Sequence, residues 1–271
     1  MSNKDEMKKS IQGVIKTLMD RVMQRVLVTD PFLADEHRAK KPLYAFLVPD
    51  EIFKGSHFER RFVTPFGGAW ERLALVAGNT GGGKAILQHA ITGNVNAERL
   101  RRIQEILNRL EHRTDSSHKP DWESELKYVL EGESDSLLPT TVLADLYLET
   151  KDGHKFAFEI KAPLPNSDQT KVSKEKILKL YAMEPSKIDG AFYALPYNPY
   201  GANREDYAWT FPARWFNMQK DPVVLIGGEF WDKIGGSGTY EAFLEAVDEI
   251  GGEYKERIYR EYLGIEPPEN Q

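Results

Sequence analysis

Among its 271 residues the chain has no cysteine. Disulfides and thiolate metal sites are therefore excluded, and a reducing cytosol is the natural setting. Long apolar runs are also missing, and no stretch approaches the roughly 20 residues of a membrane-spanning helix. The opening MSNKDEMKKS is charged and leads into no pure apolar run, so it does not read as a signal peptide. The expectation is a cytoplasmic protein with no membrane partner. Positive charge is in deficit, with 36 Lys and Arg against 42 Asp and Glu, a net charge of −6. That sits awkwardly with nucleic-acid binding, since phosphates are held by Lys and Arg. Net charge does not fix the local field, however. From Lys161 to Lys187 six lysines face only Asp168, Glu175 and Glu184, a balance of +3, and Arg60 and Arg61 form a second basic patch. These counts predict a basic cleft on an acidic body. Repeats and low-complexity tracts are absent. A chain of this length buries a substantial core, and a single domain over 1–271 is expected, mainly helical over 1–135 with the core in 136–271.

What the chain does have is concentrated between Thr140 and Pro163, TTVLADLYLETKDGHKFAFEIKAP. Two apolar runs read as strands joined at Asp152-Gly153. Asp145 interrupts the first, and the second ends in Glu159-Ile160-Lys161. Side chains alternate along a strand, so Glu159 and Lys161 share a face. Two carboxylates bind Mg²⁺, a hard cation that takes oxygen ligands. Such an ion lowers the pKa of a bound water and neutralises phosphate. Lys161 would position the water or stabilise charge developing on the phosphate oxygens. Asp145 and Glu159, with the backbone carbonyl of Ile160, are the expected metal ligands. The reading depends on register. A two-residue turn would pair Asp145 with Ile160 and put it on the wrong face. A three-residue loop, Lys151-Asp152-Gly153, with Gly153 left-handed and a G1 bulge, pairs Asp145 with Glu159. That loop, or an equivalent offset, is predicted; the alternative is an ordinary amphipathic hairpin with Glu159 and Lys161 in solvent.

Asp145 with Glu159-Ile160-Lys161 resembles the PD-(D/E)XK nuclease signature, with Ala144 where the name-giving proline often stands. Further segments, FERRFVTPFGGAWERLA (58–74), EIKAPLPNSDQTKVSKEKILKLY (159–181), YNPYG (197–201) and GGEFWDKIGGSGTYE (227–241), are similar to type II restriction endonucleases of the TdeIII-like group. The resemblance implies an α/β (α+β) fold, a mixed sheet flanked by helices with an N-terminal helical region. It implies a homodimer that cuts both strands of duplex DNA at a short, G/C-rich, GGNCC-like site, with Mg²⁺ as cofactor and 5′-phosphate products. A cognate methyltransferase is expected in the host, though not as a stable complex. Glu71 matches the N-terminal-helix glutamate that faces the metal in many such enzymes; the alternative is a solvated residue paired with an arginine. The rivals are a repair-type nuclease with the same metal site, a non-catalytic DNA-binding module, and a nucleotide hydrolase.

DNA contacts are expected from Gln169 and Lys171, after the second strand, and from the tyrosine-rich segment 193–209. There Asn198, Asn203, Arg204 and Tyr207 are nominated, because Asn reads adenine and Arg reads guanine; the alternative is a rigid packing loop. Gly78 to Ala85, GNTGGGKA, nearly spells a phosphate-binding loop. Ala85 lacks the hydroxyl that Mg²⁺ needs, and the preceding segment has helical periodicity, so no nucleotide cofactor is expected. The loop reads as a glycine linker between helices or as a DNA-facing loop with Lys84 on a phosphate. Pro49-Asp50 and Pro120-Asp121 are rejected as catalytic, Asp121 being a helix cap.

Elsewhere, helical spacing of Ile11, Ile15, Leu18, Val22 and Val26 predicts a helix over 4–29. One or two helices are expected over 67–91, and one capped by Asn96 with Leu100, Ile103, Ile106, Leu107 and Leu110 as its stripe. A helix over 170–183, strands at 190–195 and 223–226, and a helical tail from about 239 complete the pattern. Asn166 or Asp168 caps the helix near 170.

Overall fold

The computed structural model describes residues 3–112 and 119–268. It divides into two compact units, Met1–Leu73 with Glu241–Gln271, and Ala74–Tyr240.

The first unit is helical. Helix α1 (Asn3–Gln24) continues as a π-helical turn, Arg25–Thr29. Its predicted stripe, Ile11, Ile15, Leu18, Val22 and Val26, is buried. Short helices α2 (Ala34–Lys40) and α3 (Pro42–Ala45) precede the long α4 (Asp50–Thr80). Phe58, Phe62, Phe66 and Trp70 recur every four residues on α4, with successive ring centroids 6.1, 4.8 and 5.7 Å apart. That is the spacing at which helical side chains meet. The closing helix α9 (Thr239–Arg257) fastens to α1 through Lys4–Glu245, Lys8–Glu249 and the Tyr254 hydroxyl donating to Asp20.

The second unit holds a six-stranded mixed sheet, as the α/β reading expected. Its strands are β1 (Lys84–Asn96), β2 (Leu137–Glu149), β3 (Lys155–Ile160), β4 (Met183–Glu184), β5 (Gly190–Leu195) and β6 (Val224–Ile226). Their order is β4-β1-β2-β3-β5-β6. The pairs from β4 to β3 are antiparallel, and β3, β5 and β6 run parallel. Helices α5 (Ala97–Glu111), α6 (Trp122–Leu130) and α7 (Ser167–Ala182) supply Ile103, Ile106, Leu107, Val129, Ile177 and Leu178 to the core on one face. Phe230 of α8 (Gly228–Gly235) meets Phe158 of β3, ring centroids 5.9 Å apart. Caps fall where oxygen-bearing side chains can accept from the first turn. Asn96 accepts from Glu98 N, Asp121 from Ser124 N, and Asn166, not Asp168, from Gln169 N.

The helical reading of 67–91 fails in its second half. Helix α4 ends at Thr80, and from Lys84 the chain is strand β1, inside the stretch expected to be mainly helical. Segment KAILQHAITGNVN carries β-branched Ile, Thr and Val and pairs along its length with β2. Partnering, which periodicity does not register, decides the state. The glycine loop therefore joins a helix to a strand rather than two helices. A phosphate-binding loop runs the other way, from strand to helix.

The β2–β3 hairpin forms with the predicted loop. Leu146 pairs with Phe158, Tyr147 with Ala157 and Leu148 with Phe156, so continuing one step sets Asp145 opposite Glu159. Thr150 N donates to His154 O and Gly153 N to Thr150 O, closing three residues with Gly153 at φ +82°. Open space surrounds the position where a Gly153 Cβ would stand, so a side chain there meets only backbone strain. Gly153→Ala is expected to cost about 1–2 kcal/mol of unfolding free energy, measurable by urea denaturation.

Candidate active site

Register and helix placement bring four charged side chains together. Asp145 and Glu159 come from neighbouring strands and are buried, 8% and 2% exposed. Lys161 follows β3, and its backbone N–H donates to Ala194 O, which holds the chain in line with β5 beyond the strand's end. The Lys161 ammonium donates to Asp145 Oδ2 (2.7 Å), the Ile160 carbonyl (3.1 Å) and Glu159 Oε2 (3.4 Å). Asp145 Oδ2 also accepts from Ile160 N at 2.9 Å. Three oxygens, the ones expected to hold a metal, thus converge on one cationic point.

The fourth group is Lys176, which the sequence reading missed. Projecting from α7, its ammonium donates to both oxygens of Glu159 (2.8 and 3.0 Å) and to the Leu143 carbonyl (2.8 Å). It belongs to the run KVSKEKILK, where spacing alone marks it as one more solvated lysine. Only the fold, by laying α7 over the Glu159 face of the sheet, distinguishes it from its neighbours.

Burial raises the Glu159 carboxyl to about 6; Asp145 pushes the same way, and Lys161 and Lys176 oppose it. Burial works against the Lys161 charge, yet the Asp145 and Glu159 carboxylates outweigh it and the ammonium stays above its ordinary range. The oxygen donor set fits a hard divalent ion. Among the described residues no group of three His, Cys, Asp or Glu side chains could hold a metal. The fit therefore rests on two carboxylates and one carbonyl, a protein share that suits Mg²⁺, which keeps waters and takes phosphate oxygens for the rest.

Other predicted residues sit on α4, β1 and α7. Glu71 lies on α4, in the first unit. Lys84 is exposed at the start of β1, across from Glu149. Gln169 is exposed in the first turn of α7. Lys171 pairs with Glu111 at 2.6 Å.

The side chains nominated in the tyrosine-rich loop make hydrogen bonds within the protein. Arg204 donates to the carbonyls of Met218, Asp221 and Val224 at 2.6–2.8 Å. Tyr207 is 2% exposed and donates to Pro163 O. Asn198 bonds Asn203 O and Tyr200 N, and Asn203 forms a capping box with Asp206. With Trp209 donating to Pro165 O, Tyr207 fixes the connection from Lys161 to α7. The basic cleft is likewise reduced. Lys161, Lys171, Lys174, Lys176 and Lys179 pair with Asp145, Glu111, Glu125, Glu159 and Glu175. A charge sum over one segment omits acids that the fold brings from others.

The profile of the type II restriction endonuclease family HinfI matches residues 7–251. The chain belongs to this family. It is 30% identical over 226 residues to the type II restriction enzyme HgiCII of Herpetosiphon aurantiacus, covering 82% of each chain. To HgiEI of the same organism it is 27% identical over 257 residues, 92% of this chain and 91% of that one. These matches make it a site-specific deoxyribonuclease acting on duplex DNA. They support the wider class, not the narrower TdeIII-like grouping.

Glu159 gives a pH test on the metal-free protein. Its folded pKa exceeds the unfolded value, so the folded state holds this proton more tightly. The resulting stabilisation is full below about 4.5 and is lost as pH rises through about 6. Glu159→Gln removes the dependence. The stability of that variant relative to wild type should therefore rise by on the order of 1–2 kcal/mol from pH 4.5 to 7, read by urea denaturation with chelator present.

Proposed function

We propose that this enzyme hydrolyses phosphodiester bonds in duplex DNA by a Mg²⁺-dependent reaction centred on Asp145, Glu159 and Lys161, leaving 5′-phosphates. The observation that carries the proposal is the convergence of Asp145 Oδ2, Glu159 Oε2 and the Ile160 carbonyl on a single point now held by the Lys161 ammonium. Asp145, Glu159 and the Ile160 carbonyl would hold the ion. When bound, it would lower the pKa of a water and neutralise charge on the phosphate. Lys161, released from the carboxylates, would orient the attacking water and stabilise the charge that develops on the phosphate oxygens. Lys176 would keep Glu159 ionised and fixed, since it holds both carboxylate oxygens from α7. The Tyr207 and Trp209 bonds to Pro163 and Pro165 keep the segment between Lys161 and α7 in one conformation, which limits the reorganisation needed when substrate arrives.

A homodimer would match two-fold protein symmetry to a palindromic site. The first unit has apolar surface to bury against a second copy, with Leu43, Phe46 and Leu47 76%, 87% and 79% exposed. Charges around it balance, Asp35, Glu36, Asp50 and Glu51 against Arg38, Lys40, Lys41 and Lys54, which suits self-contact more than contact with DNA. A host methyltransferase would protect the recognition sequence.

Digestion of a sequenced, unmethylated DNA tests the proposal. Wild type should give discrete fragments with Mg²⁺ and none with EDTA, and Lys161→Ala should lose roughly a hundredfold or more of the rate. A Mg²⁺-dependent smear would point to a nonspecific nuclease, and cutting unaffected by Lys161→Ala would exclude the assigned centre.

A further inference from the structure

Strands β1 and β2 keep one register throughout, from Lys84 opposite Glu149 to Asn96 opposite Leu137. Leu87 pairs with Leu146 and His89 with Ala144, so the residue across from Asp145 is Gln88. Gln88 has φ +49°, the one non-glycine positive φ among the described residues. Its amide side chain is exposed on a strand whose neighbours Leu87 and His89 are half-buried.

The alternation of the two strands changes phase at this pair. On the hairpin side, Tyr147 and Ile86 pack into the core beneath α5 and α7. On the other side, Ile91, Val95, Val142 and Ala144 do so, although strict alternation from Tyr147 and Ile86 would turn them away. The left-handed backbone of Gln88 absorbs that change. Glycine is the ordinary residue for such a conformation, and a side chain there costs free energy. Outliers of this kind concentrate at functional sites, and local ladder distortions re-aim side chains beside active sites. The flanking pairs set Gln88 opposite Asp145, and opposed residues lie roughly 5 Å apart between Cα atoms. Gln88 therefore stands beside the acid that anchors the proposed catalytic centre.

We propose that Gln88 is a substrate contact, its carboxamide Nε2 donating to a non-bridging oxygen of the DNA backbone phosphate presented to Asp145. A neutral amide suits this place: it donates to phosphate without adding a cation to compete with a metal ion for Asp145. The proposal rests on the nuclease reading above.

Gln88→Gly separates side chain from backbone, because glycine keeps the left-handed conformation without strain. The expected result is a melting temperature equal to or above wild type, with kcat on site-containing DNA lowered roughly tenfold to a hundredfold. Gln88→Asn keeps a carboxamide and tolerates the same backbone, and should recover part of the rate. If Gln88→Gly cuts as fast as wild type, the residue serves only to absorb the phase change and the proposal is overturned. If Gln88→Gly melts well below wild type, the side chain is structural, which also overturns it. Wild type, run in parallel, separates the two readings: absence of cutting by every form sinks the nuclease reading and this one with it, whereas a defect confined to the variants does not touch the former.

Discussion

Two carboxylates are buried side by side on neighbouring strands, and they stay there because two half-buried ammonium groups pair with them. An unpaired ion in a protein interior costs several kcal/mol, so Asp145 and Glu159 alone would destabilise the sheet that carries them. Lys161 answers Asp145 and Lys176 answers Glu159. The first lysine arrives because β3 ends in Glu-Ile-Lys, which returns Lys161 to the face of Glu159. The second arrives because Asn166 starts α7 at a point from which the helix crosses that face. Remove the hairpin register and the acids separate; remove α7 and Glu159 loses the partner on both its oxygens.

On the proposed reading, the same arrangement lets a structural ion cluster become a catalytic one. Lys161 occupies the point on which three oxygens converge, whereas Lys176 approaches Glu159 from the helix side and also holds a backbone carbonyl. In the proposed mechanism the first cation would be exchanged and the second would remain. Neutralisation by an exchangeable group keeps the acids together before DNA arrives, without committing them to a permanent partner.

The hairpin's register was legible in the sequence, down to its loop, because local rules set it. A single glycine at the left-handed position and alternating apolar residues leave one register that puts both acids on one face. Caps at Asn96 and Asp121 were equally local. Strand β1 was not legible, since its identity comes from pairing with β2, some fifty residues later. Lys176 was invisible for the same reason: nothing separates it from Lys171 or Lys179 until α7 lies against the sheet. Residue type alone did not decide the tyrosine-rich loop. Arg204 and Tyr207 are the kinds of side chain that read bases, yet here they satisfy carbonyls in the loops around the core. Gln88 gave no sequence signal, because a left-handed glutamine inside a strand contradicts local preference and exists only as a consequence of tertiary structure.

The account stands on the convergence of Asp145, Glu159 and the Ile160 carbonyl as a divalent-cation site. A crystal structure of the wild-type enzyme grown with Mn²⁺, with the ion located by its anomalous scattering, tests this most directly. The predicted result is an ion bounded by those three oxygens, with the Lys161 ammonium displaced from Asp145 and Lys176 still on Glu159. Manganese bound elsewhere, with Lys161 still seated between the two carboxylates, would contradict the account.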